Sequence, residues 1–188
     1  EAYAHGKASG IDMTAVAGDA PIWFEGVNGM HTIEVSVPIY MAVADTGYEG
    51  NTRMAVNEVR QRYTTSEKEV QAILDTMGAL ARNAKASLKT GNRMLLGNML
   101  DQNHTALRAL GVSNAPLEQL IHTAKANGAL GAKLTGGGLG GCVLALADTM
   151  TSAERIAEAF VAGGASKAWY FSSYPNTLKT IERPVKQP

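Results

Sequence analysis

Ser9 and Asp12 lie three residues apart in the segment HGKASGIDM, and their side chains could do chemistry on a substrate hydroxyl. A carboxylate that projects into a cleft can orient or deprotonate a hydroxyl group. The same spacing is typical of a capping box, in which Ser9 caps a helix and Asp12 lies near its positive end. Both interpretations can hold together, because a helix start is also a favourable place for an anion. The lone His5 nearby favours a structural or solvent-exposed role.

A second candidate is the loop KLTGGGLGGC, Lys133 to Cys142, which carries five glycines between two strand-like runs. These glycines can form a tight hairpin, since glycine adopts positive φ without steric penalty. Alternatively, the backbone N–H groups of such a loop can curve around an anion such as a phosphate. The loop is neither a Walker A sequence nor a Rossmann fingerprint, because no Gly-Lys-Ser/Thr follows it and the next element reads as a strand. Glycine content by itself leaves both possibilities open.

The elements that must position these two segments alternate between strands and helices. A strand is predicted at PIWFE, residues 21–25, and the sheet of the main domain is predicted from four apolar runs. These runs are 36–44, 131–135, 141–147 and 167–173. Pro38 should break the first run or mark an edge, because proline cannot donate a ladder hydrogen bond. Apolar residues at helical spacing predict several helices up to Lys125, so the fold class is α+β.

Local signals also predict where the helices begin and end. Ser66-x-x-Glu69 and Thr151-x-x-Glu154 are capping-box sequences, each just ahead of a helical apolar pattern. Gly91 and Asn92 interrupt one helical run, and Gly163 with Gly164 stops another.

Composition excludes several classes of partner. Seventeen basic and seventeen acidic residues give a net charge of zero, so no basic field attracts nucleic acid or an anionic membrane. No apolar run approaches the roughly 20 residues that span a bilayer. The single Cys142 fits a reducing compartment, and we expect a cytoplasmic protein with neither nucleic-acid nor membrane partners.

Taken together, the two segments resemble motifs of one family. HGKASGID resembles the second motif of the mevalonate kinases, and KLTGGGLGGCVLAL resembles the third. These enzymes lie within the superfamily of galacto-, homoserine, mevalonate and phosphomevalonate kinases. The intervening stretches, among them ADTGYEGNTRMAVNEVR, resemble the same family, so the similarity runs from Glu1 to about Tyr174.

The resemblance implies a domain organisation. Residues 36–174 would form a ferredoxin-like carboxy-terminal kinase domain, residues 1–35 a remnant of the preceding α/β nucleotide-binding domain, and residues 175–188 a weakly ordered tail. The family's first motif, which wraps the ATP phosphates, and its amino-terminal lysine have no counterpart here. We therefore expect the chain to be the carboxy-terminal part of an enzyme, inactive without its amino-terminal half, and a homodimer is possible.

The resemblance also implies an activity, which is ATP-dependent phosphorylation of the 5-hydroxyl of mevalonate with Mg²⁺. Asp12 would be the catalytic carboxylate, and Glu1 would bind the magnesium ion. The substrate-binding residues implied are Ser9, Thr52, Gly136, Gly137 and Gly138. Leu139 stands where the family usually has glycine, which adds bulk at a place of close approach. The alternatives are a sister enzyme, such as phosphomevalonate or homoserine kinase, and a non-catalytic ferredoxin-like dimerisation module.

Overall fold

Seven strands and five helices make up the part of the chain that the structure, a computed structural model, describes: residues 21–25, 29–173 and 176–182. The strands are β1 Ile22–Phe24, β2 Met30–Thr32, β3 Tyr40–Asp45, β4 Gly131–Thr135, β5 Cys142–Ala147, β6 Lys167–Ser173 and β7 Asn176–Glu182. The helices are α1 Thr52–Thr65, α2 Glu67–Thr90, α3 Arg93–Ala109, α4 Ala115–Ala126 and α5 Met150–Ala162. The predicted α+β class is confirmed.

The main sheet has five antiparallel strands in the order β4-β5-β3-β6-β7. Helices α1 to α4 connect β3 to β4, a hairpin joins β4 to β5, and α5 leads to β6. This succession, with β3 inserted between β5 and β6, is the split β-α-β arrangement of ferredoxin-like domains. The ferredoxin-like expectation for the main domain is therefore met, and each of the four predicted sheet strands is present.

One face of this sheet holds small apolar side chains that let helices approach closely. Ala42 on the central strand β3 lies opposite Ala145 on one side and Tyr170 on the other, and all three are buried. Helices α4 and α5 cover this face and supply the larger groups that fill the space above it. Their buried side chains are Leu117, Leu120, Ala124, Ala153, Ile156, Ala157 and Phe160. Close packing of this kind fixes the strands that carry the loops at either end.

Two sheet boundaries differ from the sequence prediction. The strand predicted at 36–44 begins only at Tyr40, because Pro38 has no N–H to offer the ladder. The Ser36 N–H instead donates to the Leu88 carbonyl at the end of α2. The prediction of a weakly ordered tail from residue 175 is wrong for 176–182, which pairs with β6 as the edge strand β7.

The helix ends follow local chemistry, although not always the chemistry predicted. Gly91 ends α2 in the left-handed conformation with φ 73°, and Asn92 then caps α3. Ser66 precedes α2, but its side chain makes no capping hydrogen bond, so the predicted capping box is absent there. Helix α5 begins at Met150 with Thr149 as its cap, two residues before the predicted Thr151.

Helix α3 lies against the edge strand β4 and satisfies its outward-facing N–H groups. Asp101 Oδ1 accepts a hydrogen bond from the Ala132 N–H at 2.8 Å, and His104 Nδ1 faces the Leu134 N–H at 3.4 Å. Gly97 and Gly131 allow the two backbones to touch, because a β-carbon on either would overlap the other element. The edge of the sheet is thereby closed to pairing with another chain.

Strands β1 and β2 pair with each other in a separate antiparallel sheet. Lys85 on α2 places its Nζ 4.8 Å from the Trp23 ring centre, which ties this small sheet to the main domain. The assignment of residues 1–35 to a preceding domain stays a prediction. None of the described helices is long and apolar enough to cross a membrane.

Candidate active site

The glycine-rich loop connects β4 to β5 and depends on left-handed backbone conformations. Thr135 and Cys142 pair across the hairpin, so the strand–glycine–strand interpretation is correct. Within the loop, positive φ angles occur at nearly every position: Gly136 84°, Gly138 89°, Leu139 58°, Gly140 141° and Gly141 76°. Side chains other than glycine rarely adopt such angles, so the glycines are needed for the path of the backbone.

Neighbouring segments hold the loop in place on two sides. The Leu139 N–H donates to the Val112 carbonyl at 2.8 Å, in the connection between α3 and α4. The Gly141 N–H donates to the Tyr48 carbonyl at 2.8 Å, in the connection between β3 and α1. Thr46 Oγ1 donates to the Gly141 carbonyl at 2.8 Å. The loop is therefore a braced structure with a defined shape.

The loop brings two of the predicted substrate-binding positions together. Thr52 is the first residue of α1, and a β-carbon on Gly137 would lie 2.6 Å from its Oγ1. Asn51 fixes this helix start by accepting a hydrogen bond from the Met54 N–H at 2.9 Å. Gly136 and Gly137 are exposed beside it. Loop amides next to the positive end of a helix suit an anionic group such as a phosphate or a carboxylate.

The buried members of the loop have a packing role. Gly138 and Gly140 are buried, and a β-carbon on Gly140 would lie 2.8 Å from the Glu49 carbonyl oxygen. The Leu139 side chain packs against the main hydrophobic core. The bulk that Leu139 adds is therefore directed into the domain, and Gly136 and Gly137 form the accessible part of the loop.

An apolar groove adjoins Gly137, and no local sequence pattern indicates it. The groove lies between α1 and α3 and has a volume of about 240 Å³. It is lined by Ala55, Val56, Val59, Leu107, Leu110, Val112 and Gly137. Only the three-dimensional approach of α1 to the glycine loop creates this groove, since its walls come from three separate segments.

A buried polar cluster supports the connection that braces the loop. His104 is only 5% exposed, and its Nε2 lies 3.0 Å from Glu118 Oε1. Ser113 Oγ donates to the same oxygen at 2.6 Å, and Arg108 Nε lies 3.4 Å from the other. Ser113 directly follows Val112, whose carbonyl oxygen accepts the hydrogen bond from the Leu139 N–H. The cluster thus fixes the segment against which the loop rests.

His104 is neutral in this cluster. Its Nδ1 faces the Leu134 N–H and must accept, so the proton lies on Nε2, which donates to Glu118. Burial lowers the pKa of His104, and the opposing attraction of Glu118 does not reverse this direction. Neither residue could be found from sequence, because they lie on different helices without a recognisable spacing.

We expect His104 to make stability depend on pH. Its folded-state pKa is below the ordinary value of about 6.5, so the unfolded chain takes up the proton first. The stability from neutral His104 is complete above pH 6.5 and is lost as pH falls through the lowered folded-state pKa. Melting temperatures of wild type and His104→Gln, measured between pH 7.5 and 5, should converge as pH falls. A constant or widening difference would contradict this assignment.

Three of the predicted site residues, Glu1, Ser9 and Asp12, lie outside the described residues, as does His5. Their roles stay predictions, as does magnesium binding by Glu1. Within the described ranges, no group of three His, Cys, Asp or Glu side chains could hold a metal ion.

Comparison with known proteins identifies similar sequences along most of the chain. A family model described as GHMP kinases C terminal matches residues 84–166. The chain is 39% identical over 152 residues to a mevalonate kinase of Pyrococcus abyssi, a match that covers 78% of this chain and 45% of the relative. A mevalonate kinase of Thermococcus onnurineus is 38% identical over 169 residues, covering 87% of this chain and 50% of the relative. The chain thus spans about half the length of the curated relatives it matches.

Solved structures give the same result. The crystal structure of L. major mevalonate kinase in complex with R-mevalonate superposes with a TM-score of 0.81 at 27% identity, covering 95% of this chain and 54% of that one. Mevalonate kinase from Staphylococcus aureus is 31% identical with a TM-score of 0.62, over 90% of this chain and 53% of that one. The resemblance to the carboxy-terminal part of mevalonate kinases, drawn from the sequence motifs, is confirmed.

Proposed function

We propose that this chain is the carboxy-terminal domain of a GHMP kinase and that the polypeptide containing it phosphorylates the 5-hydroxyl of mevalonate with ATP. The observation that carries the proposal is the accessible pair Gly136 and Gly137 beside the start of α1, in a chain 38–39% identical to mevalonate kinases. The loop amides and the positive end of α1 favour negatively charged groups, and mevalonate and ATP are both negatively charged.

The described residues have a positioning role in this proposal. Gly136 and Gly137 have no side chains and are exposed beside the start of α1, so a charged substrate can approach their backbone closely. Thr52, whose hydroxyl lies beside Gly137, orients the substrate at the same place. Phosphoryl transfer depends mainly on positioning and charge stabilisation, so a rigid loop serves the reaction directly. The His104–Glu118 pair contributes through the segment that braces this loop.

The remaining roles in the proposal fall on residues outside the described ranges. Asp12 orients or deprotonates the mevalonate hydroxyl, and Ser9 lines the same site. Glu1 is a carboxylate of the kind that binds Mg²⁺ in company with phosphate oxygens. A bound magnesium ion would neutralise charge on the phosphates during transfer.

A substrate panel tests the activity. The full-length enzyme, ATP and Mg²⁺ should convert mevalonate into a product whose phosphorus couples to the C5 methylene protons in NMR spectra. Phosphomevalonate, homoserine and galactose should react much more slowly. Preferred phosphorylation of one of these three would assign the enzyme to a sister activity, and no phosphorylation of any would favour a non-catalytic module.

We also propose that the 188 residues by themselves neither bind nor use ATP. No segment of the chain resembles the family's phosphate-wrapping motif, and the relatives are about twice as long. Isothermal titration of the isolated chain with Mg-ATP should give no measurable heat of binding, whereas the full-length enzyme provides the positive control. Micromolar binding to the isolated chain would mean that the nucleotide site lies within these residues.

A further inference from the structure

Lys133 is a largely buried lysine that has no role in the proposed phosphoryl transfer. It lies in the middle of β4 between Ala132 and Leu134, whose side chains enter the main core on the opposite face of the sheet. Lys133 instead lines a cavity of about 170 Å³ where α2 and α3 cover this strand. The other lining residues are Leu80, Ala81, Ala84, Met99, Leu100 and Asn103.

The Lys133 amine has no partner among the residues that the structure describes: none accepts a hydrogen bond from its Nζ or forms an ion pair with it. Lys125 provides a contrast within the same region, because its Nζ lies 2.6 Å from Asp101 Oδ2. An ammonium group held among apolar side chains without a counter-charge is unfavourable. Burial accordingly lowers the pKa of Lys133.

None of the described residues that line the cavity carries a negative charge that could stabilise an ammonium ion. His104 on α3, whose pKa the charge of Lys133 helps to lower, is itself shifted towards its neutral form. On α2, the lining residues Leu80, Ala81 and Ala84 are apolar. A lowered pKa increases the fraction of the Lys133 amine that is neutral, and only the neutral amine is a nucleophile.

We propose that Lys133 is an acylation site, at which the buried amine takes a short acyl group from an acyl thioester and the adjoining cavity accommodates that group. The amine nitrogen forms a bond to the carbonyl carbon, and the carbon–sulfur bond breaks. The thiolate leaves and takes up the proton that the nitrogen releases, so the products are an amide and a thiol. Asn103 contributes an amide to the same cavity.

The strand that holds Lys133 leads directly into the glycine loop of the candidate active site. Lys133 lies in β4, which ends at Thr135 directly before Gly136, and an acyl amide there replaces a poorly solvated amine with a group that carries no charge. Acylation should therefore raise the melting temperature slightly. This inference does not depend on the proposed kinase activity, because it rests on the cavity and the unpartnered amine.

Site-resolved acetylation of the folded full-length protein tests the proposal. The probe is a small acetyl thioester, the N-acetylcysteamine thioester of acetate, and peptide mass spectrometry follows each lysine. At pH 7.5, Lys133 should react several-fold faster than the exposed Lys68 on α2. The ratio should fall as pH approaches about 10.4, where exposed lysines also lose their protons. In urea the two rates should become equal.

Two outcomes would overturn the proposal. One is a Lys133 rate at or below that of Lys68 at pH 7.5, and the other is a ratio that does not change with pH. Ala84→Leu, which narrows the cavity from the α2 side, provides a second measurement. It should slow the acetylation of Lys133 several-fold and leave Lys68 unchanged, and an unaltered Lys133 rate would show that the cavity is not the reaction site.

Discussion

Gly138→Ala is expected to destabilise the domain by about 2–5 kcal/mol, whereas Gly136→Ala should cost only about 1–2 kcal/mol. The two glycines have nearly equal φ angles, 89° and 84°, so the penalty for placing alanine in the left-handed region is the same. Their surroundings differ, because a β-carbon on Gly138 would overlap the Val112 carbonyl oxygen and one on Gly136 meets nothing within 4 Å. The difference between the variants therefore measures packing alone.

Urea denaturation of the two variants and the wild type provides the measurement. The dependence of unfolding free energy on urea should stay unchanged, so that the midpoints report stability directly. The Gly138 variant should also lose the hydrogen bond from the Leu139 N–H to Val112, which its new methyl group displaces. Equal losses of unfolding free energy in the two variants would mean that the backbone around Val112 shifts at little cost and does not hold the loop in place.

Much of the fold could be predicted from local sequence, because local chemistry determines it. Gly91 and Asn92 end one helix and begin the next through a left-handed φ and a side-chain cap, and neither needs a distant partner. The apolar runs around 142–147 and 167–173 could be recognised as strands, because they alternate and bury residues such as Val143, Ala145 and Tyr170 in the core. Pro38 marked the break before β3 correctly.

The remaining features depend on contacts that no local pattern encodes. Strand β7 forms because β6 offers it a free edge, so the polar sequence of 176–182 gave no sign of it. The cap of α5 is Thr149 because the turn after β5 places that hydroxyl near the Ser152 N–H at 3.1 Å. His104 and Glu118 meet only once α3 and α4 have packed together.

The candidate site likewise has features that the sequence indicates and others that only the structure shows. The resemblance to the mevalonate kinases indicated Thr52 and Gly137 as site residues, each from a different stretch of the sequence. The structure adds that they touch, and that the connection at Val112 supports the loop from behind. The division of the loop into an accessible part, Gly136 and Gly137, and a packed part beginning at Gly138 also required the structure. Motifs therefore indicate which residues matter, and packing determines what each can do.

Asp12→Asn in the full-length enzyme is expected to lower kcat by about 10² to 10⁴, the usual contribution of general acid–base help. This proposal rests on the match of HGKASGID to the second family motif. The mevalonate KM should change much less, because the interaction of the carboxylate with the hydroxyl strengthens mainly in the transition state. The melting temperature should stay close to that of the wild type, since asparagine keeps the size of aspartate and the carboxylate acts on the substrate in this proposal.

The opposing interpretation, in which Asp12 only stabilises a helix start, makes different predictions for the same variant. Replacing the charge would then cost at most about 1 kcal/mol of stability and leave kcat nearly unchanged. Asp19→Asn provides a matched control, because Asp19 is the next aspartate along the chain and lies outside the HGKASGIDM segment, so its replacement should alter neither quantity. Steady-state kinetics and melting temperatures of both variants separate the two roles. A near-normal kcat together with a lowered melting temperature in Asp12→Asn would assign Asp12 to the helix cap, and the proposed mechanism would then lack its proton acceptor.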